Sequence, residues 1–582
     1  MNEHVLLNPA EKAAQEALES IFQCLDQGES FLLEAGAGAG KTYSLIEALK
    51  YIISKKGVDL TRMHQKVACI TYTNVASDEI TERTGRHPVV LSSTIHSFCW
   101  SLIKDFQPYL REKIGQYDKW AEKIEEAGGI NAQVIEYDLG YRSITDERIS
   151  LGHNDIIYFT KALLEEKKFR DLFTARYPIL FIDEYQDTST DIAESIKTSF
   201  LDTGTGPLIG FFGDHWQKIY GDGCGKIEHP AIKVIGNGAN FRSVTTIVDA
   251  LNKIRPELTQ AVRDPKSTGI VGVYHTNDWN GDRLTGAHWK DDLPEEVANE
   301  SLTTLRKKLI SDGWNFEPDK TKILILTHNA LATKQGYNNL ASVFPNNDQF
   351  IKKEDIHIKF FADTLEPVCI AYANRHYGEM FNYIGNRTPS IKTHADKKSW
   401  AKNMDSLLKN RSEGNVGEVI DHLRQARRPR LPDAVEKREM ELQRIGDQEV
   451  EEESGSVTRL RKLREVSYRE VVSLCEFIDD KTPFSTKHGV KGIEFENVLV
   501  VFGRGWNQYD FNQFLEWAGD ENNIPQAKWD KYERNRNLFY VVCSRPIKRL
   551  ALLFTQELTT SALSTLTNWF GESAVNSLPL GQ

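Results

Sequence analysis

Nowhere in this chain do apolar residues run on for the roughly 18 positions that a membrane span needs, which excludes a helical membrane protein. The opening segment, MNEHVLLNPAEKAAQ, lacks the basic start and unbroken apolar stretch of a secretory leader, so the expected location is the cytoplasm. Cysteine is sparse and scattered. The seven residues at 24, 69, 99, 224, 369, 475 and 543 include no C-x-x-C pair, which argues against both a zinc site and a disulfide framework. Positive charge is in deficit as well: a net charge of −11 excludes a protein that coats nucleic acid indiscriminately, while leaving room for a local basic groove. No internal repeat is visible.

What is present is length and apolar strand signal. At 582 residues the chain exceeds the size at which one hydrophobic core stops growing, and several domains are expected. Residues 31–49, FLLEAGAGAGKTYSLIEAL, read as a buried strand, a glycine-rich turn and a helix. Apolar strands ending in polar or acidic residues recur at 66–74, 177–187 and 207–214. A second set appears at 268–276, 321–329, 495–503 and 547–555. Near-continuous apolar strands separated by helices mean parallel sheets covered on both faces. The fold class expected is α/β, with two parallel-sheet domains each carrying a mostly helical insertion. Residues 1–99 and 173–264 form the first, interrupted at 100–172; residues 265–350 and 466–582 form the second, interrupted at 351–465. The inserts are polar and lack strand signals. In the second, Arg424, Arg427, Arg428 and Arg430 make either a duplex or partner contact or a solvated helix end.

The segment Ala35-Gly36-Ala37-Gly38-Ala39-Gly40-Lys41-Thr42 departs from G-x-x-x-x-G-K-[ST] only by alanine at its first position. Backbone N–H groups of such a turn wrap nucleotide phosphates, Lys41 reaches the β and γ phosphates, and Thr42 meets Mg2+. Downstream, an apolar strand runs into Asp183-Glu184-Tyr185-Gln186-Asp187, where ligands bind in open α/β sheets. Asp183 is the second magnesium candidate and Glu184 the general base for an attacking water. The bland readings are a glycine-rich turn with a chance lysine and a solvated acidic turn; the two motifs together, each closing an apolar strand, outweigh them.

AGAGAGKT (35–42), DEYQDT (183–188), GDHWQKIY (213–220), NFRS (240–243), TKHGVKGIEF (486–495) and YVVCSR (540–545) occur in the order found in UvrD/Rep-like superfamily 1 DNA helicases, and the chain resembles that family from residue 7 to about 555. The resemblance implies two RecA-like P-loop NTPase domains with ATP between them, and an ATP hydrolase that moves along single-stranded DNA or from DNA ends, 3′ to 5′. It implies that Gln217 senses the γ-phosphate, that Arg242 and Arg545 meet it across the cleft, and that Glu494 binds the ribose beside Lys491 and Gly492. Guanidinium forks suit the charge that develops on the equatorial oxygens. On the DNA side, Thr73 and Asn74 match a backbone-contacting segment with Tyr72 as a stacking ring, and Thr94 and His96 match the next. Tyr220 and His488 are further candidates, and each base–aromatic stack is worth about 1–3 kcal/mol. Any of these four rings, Tyr72, His96, Tyr220 and His488, could instead be packed core.

The departures from the family are as informative. Glu11 stands where a glutamine reads adenine, with Gln15 one turn later, so base selectivity is open. Tyr43 replaces a cationic residue and faces Phe241, an aromatic pair that would hold any purine. Asp222 replaces a DNA-stacking tryptophan and the arginine-glycine pair that follows it is missing, which points to weak stepping or strand separation; Val75 replaces a lysine, which removes a phosphate contact. About 27 residues follow the strand at 547–555, too few for a fused nuclease. Small accessory regions and divergent motifs resemble the helicase subunits of bacterial anti-phage systems of the Gabija type, which implies an OLD-like nuclease partner in a hetero-oligomer. The other readings are a nucleotide-gated switch that regulates a nuclease with little unwinding, a housekeeping repair helicase, and an RNA motor.

Overall fold

The computed structural model describes residues 7–137, 142–219, 221, 223–325, 335–344, 348–351, 353–385, 391–445, 455–479, 482–485, 493–503 and 509–580. The first helix, Pro9–Gln27, is fixed at both ends by local chemistry: Asn8 and Glu11 form a capping box, and Gly28 closes it at φ 73°. It leads into the first sheet, built from β1 (Ser30–Ala35), β2 (Val67–Thr71), β3 (Val90–Thr94), β4 (Ile179–Asp183), β5 (Leu208–Gly213) and β6 (Ile232–Asn237). The strands lie in the order β3-β2-β4-β5-β1-β6, and every pairing is parallel.

Its apolar runs exist because both faces are covered. Phe31, Leu33, Cys69, Phe181 and Phe212 pack on one side with the helices Pro9–Gln27 and Lys41–Arg62, while Leu32, Ile70, Leu180, Ile182 and Phe211 pack on the other. That second face meets the first insertion, which is less purely helical than expected. Between the helices Gln107–Gly115 and His153–Leu164 it holds a three-stranded sheet of Val134–Tyr137, Ser143–Ile144 and Arg148–Leu151. Strands of four, two and four residues are too short to leave an alternation in the sequence.

The second sheet comprises β7 (Ile270–His275), β8 (Thr321–Ile325), β9 (Phe484–Ser485), β10 (Phe495–Phe502), β11 (Pro546–Phe554) and β12 (Val575–Ser577). The order is β9-β8-β10-β11-β7-β12, again all parallel. The strand expected to be last, at 547–555, is therefore followed by another, β12, which pairs with β7. One face of this sheet shares its core with a run of helices from Asn338–Val343 to Tyr468–Ile478: Ile323, Leu499 and Leu553 cluster with Leu340, Trp400, Leu463 and Leu474. The other face carries the helices Thr245–Ile254, Phe511–Gly519, Trp529–Cys543 and Thr560–Phe570. The helix Thr245–Ile254, expected with the first sheet, thus packs on the second, because Ile247, Leu251 and Ile254 find Val273 and Leu552 there. No helix among the described residues is long and apolar enough to cross a membrane.

Candidate nucleotide site at the seam between the sheets

All strands of the first sheet end on one edge, and the motif residues follow those ends. β1 runs into the loop 36–40, β4 ends at Asp183, and β5 ends one residue before Asp214. Gly38 and Gly40 adopt φ of 76° and 77°, a left-handed backbone that favours glycine. A Cβ on Gly38 would also come within 2.9 Å of Arg242 Cβ. Ala35, where the strict motif has glycine, is the buried last residue of an extended strand, so no left-handed turn is required of it.

The loop is wired to what faces it. The Ala37 N–H donates to Tyr540 Oη (3.4 Å), and the Ala37 carbonyl accepts from Asn240 Nδ2 (3.2 Å) and Gln260 Nε2 (2.9 Å). The Ala39 N–H donates to the Gly36 carbonyl (3.2 Å). From Gly40 the helix Lys41–Arg62 begins with no side-chain cap, which leaves the N–H groups of its first turn directed at the loop. Lys41 is nearly buried. Its Nζ lies 3.3 Å from Glu184 Oε2 but makes no hydrogen bond among the described residues. A buried ammonium short of acceptors fits a phosphate.

Glu184 takes φ 47°, ψ 48°, a left-handed backbone that is costly for a side-chain-bearing residue and is kept where the surroundings over-determine it. Gln186 Nε2 donates to Glu184 Oε2 (2.5 Å). Asp183 is buried at the end of β4, and Thr42 is half-buried in the first turn of the helix. Arg545 is fully buried; its Nε donates to the Val541 carbonyl (3.1 Å) and its Nη2 to Gln217 Oε1 (3.4 Å). Burial and the like charge of Arg242 push it down to about 9, so a guanidinium waits here with too little anion around it. Arg242 bridges the seam: Nε donates to Glu494 Oε2 (3.0 Å) and Nη1 to the Ser544 carbonyl (3.0 Å). Glu494, expected on a ribose, is here paired with Arg242.

Tyr43 and Phe241 are 49 % and 39 % exposed and flank Gly40, at 3.7 and 4.0 Å from its would-be Cβ. Glu11 does not stand free to read a base: Oε2 accepts the Asn8 N–H (3.0 Å) in the capping box, and Gln15 donates to Glu19 Oε1 (2.8 Å).

The DNA candidates on the first sheet come together. Thr71 and Thr94 are register partners, so Tyr72, Thr73 and Asn74 lie beside Thr94 and His96 at the ends of β2 and β3. Tyr72 and Asn74 are exposed, and Thr73 Oγ1 accepts the Ala76 N–H (3.2 Å) to cap the helix Asn74–Arg83. His96 is half-buried edge-on to His153, with ring centres 4.9 Å apart; burial and His153 push it down to about 4, so it offers a neutral imidazole. Tyr220, Asp222, His488, Lys491 and Gly492 lie outside the described residues. The arginine cluster of the second insertion is largely compensated: Arg424 donates to Glu436 and Gln443, Arg428 to Ser399, and Arg430 to Asp433.

Two parallel sheets whose seam gathers Lys41, Glu184, Gln217, Arg242 and Arg545 suit an ATP-hydrolysing DNA helicase, and in these motifs the chain resembles the UvrD/Rep-like class. A family model described as an AAA domain matches residues 4–222. The chain is similar along nearly its whole length to the Gabija protein GajB of Bacillus cereus, at 26 % identity with 96 % of this chain and 98 % of the relative covered. It is also 25 % identical to the ATP-dependent DNA helicase PcrA of Staphylococcus aureus, over 44 % of this chain and 40 % of that protein. What the motifs did not reveal is the buried set behind them, Glu34, Asp214, His215 and Arg255. Asp214 and His215 lie inside GDHWQKIY and Glu34 is a charge inside an otherwise apolar strand, but nothing local marks Arg255.

Proposed function

We propose that the chain draws ATP hydrolysis into 3′ to 5′ movement along single-stranded DNA, as the helicase component of a Gabija-type anti-phage system that works with an OLD-like nuclease. The observation that carries the ATP chemistry is the convergence of Lys41 and Glu184 with Arg545 and Gln217 at the seam. Lys41 and the first-turn N–H groups hold the β and γ phosphates. Thr42 and Asp183 would hold a magnesium ion, whose charge would neutralise that of the phosphates. Glu184 takes the proton of the attacking water, and Arg242 and Arg545 offset the charge that develops on the transferred group. Tyr43 and Phe241 hold the base between rings without reading its edge. The shelf of Tyr72, Thr73, Asn74, Thr94 and His96, with Tyr220 and His488, takes the strand, and likeness to GajB over both full lengths supports the defence setting.

Steady-state ATP hydrolysis with and without single-stranded DNA, with Glu184→Gln as control, tests the motor. Strong stimulation that the substitution abolishes is expected. Turnover indifferent to nucleic acid would replace the motor with a nucleotide-gated switch. Mixing with an OLD-like nuclease, read by sizing and by DNA cleavage, tests the partner: co-elution is expected, and two unshifted peaks with unchanged cleavage would remove that part of the proposal.

A further inference from the structure

Arg255 follows the helix Thr245–Ile254, whose core is that of the second sheet. Its guanidinium nevertheless serves the first. It is 1 % exposed; Nη1 donates to Asp214 Oδ1 (2.7 Å) and Nη2 to Glu34 Oε1 (3.0 Å). The rings of Trp216, from the first sheet's sensor segment, and Tyr540, from the helix leading to Arg545, lie 5.1 and 5.5 Å from its Cζ. Glu257, half in solvent, faces Nε at 3.3 Å. Glu34, Asp214 and His215 lie close enough to suggest a metal, but this guanidinium already bonds both carboxylates.

Asp214 is the hub. Its Oδ2 accepts from Gln217 Nε2 (2.8 Å), and Gln217 Oε1 in turn faces Arg545. Its backbone N–H donates to Gln186 Oε1 (3.1 Å), and the other end of Gln186 holds Glu184. One residue therefore meets both: its buried carboxylate holds the γ-phosphate sensor, and its backbone N–H holds the glutamine that bonds the general base. A carboxylate without solvent needs a counter-charge, or it draws in another cation, which here would be Arg545.

We infer that Arg255 is a positioning residue for ATP hydrolysis: reaching from the second-sheet side, it neutralises the Asp214 carboxylate and so aims Gln217 at Arg545. The inference rests on the chain being an ATPase and adds a residue that acts through others. A lysine cannot stand in fully, because a point charge does not span Asp214 and Glu34 in the plane that a guanidinium fork does.

The test is a double-mutant cycle between Arg255→Gln and Gln217→Ala, read as kcat and KM for ATP beside equilibrium binding of a fluorescent ATP analogue. Arg255→Gln is expected to lower kcat by about tenfold or more while KM, analogue affinity and binding stoichiometry stay within about twofold. In the double variant the loss beyond Gln217→Ala is expected to be about twofold or less, since the two act as one unit. Glu257→Gln should match the unaltered protein, and Arg255→Lys should recover part of kcat. Losses that multiply in the double variant, or a KM that rises in step with the fall in kcat, would overturn the assignment. If Arg255→Gln binds less than one analogue per chain, the cycle is repeated with Arg255→Lys under the same criterion. Absence of DNA stimulation in the unaltered protein would defeat the motor reading alone, because the cycle is still read from basal turnover.

Discussion

Glu184 shows how much a single residue is asked to do at the seam. It holds a left-handed backbone, accepts from Gln186 and stands 3.3 Å from Lys41, so its carboxylate is fixed before any water arrives. Glu184→Gln keeps the shape and removes the proton acceptor; turnover should fall by about 10²- to 10⁴-fold with nucleotide binding retained, measured as hydrolysis beside equilibrium binding. Arg545→Ala should cost about 10³-fold or more in kcat, and Arg545→Lys should not restore it, because the buried site offers a planar fork rather than a point charge. The meeting of Lys41 and Glu184 was legible in the sequence because each is tied to a short contiguous string, from which the roles proposed for Thr42 and Asp183 also come. Asp214 and Arg255 were not read as a pair, since forty-one positions separate them and nothing local to IRPE marks its arginine as buried.

At the scale of elements, β1 illustrates how a strand end is charged. Burial alone would raise Glu34, but the hydrogen bond and charge of His215, the Tyr185 hydroxyl (2.7 Å) and the charge of Arg255 outweigh it and hold the carboxyl at about 2, below its ordinary 4.5. A folded-state value below the unfolded one contributes stability above pH 4.5 that is lost as pH falls toward 2. Asp214, bonded to the same guanidinium, is the remaining acid in the set. The advantage of the unaltered protein over Glu34→Gln in apparent unfolding temperature should therefore be full at neutral pH and shrink across that window; a difference constant with pH would contradict it. On the proposed reading, the helix entered at Gly40 carries one wall of the purine slot and Phe241 the other. With Glu11 engaged in a capping box and only rings beside the base, kcat/KM for GTP should lie within about tenfold of that for ATP, and replacing both Tyr43 and Phe241 by alanine should raise KM for both nucleotides together. Central strands were legible as apolar runs, whereas the edges β3, β6, β9 and β12 were missed. Edge strands are short or carry polar residues on one face, as VLSST and IKVIGN do, and so resemble loops.

The two-sheet plan of the whole molecule was legible from the recurrence of those runs, but the place where the chain changes sheets was not. An amphipathic pattern says that Thr245–Ile254 packs, not on what. Strand order in the second sheet also bears on how this protein is made on the ribosome. Every strand of the first sheet has been synthesised by residue 237, whereas β7 is flanked by β11 and β12 and must wait for residues 546–577. At about 5–20 residues per second, that interval is on the order of half a minute, during which both edges of an apolar strand stand open to the wrong neighbour. A nascent chain stalled just before residue 546 should therefore be captured by a holdase chaperone, and release of the capture should coincide with emergence of residues 546–577.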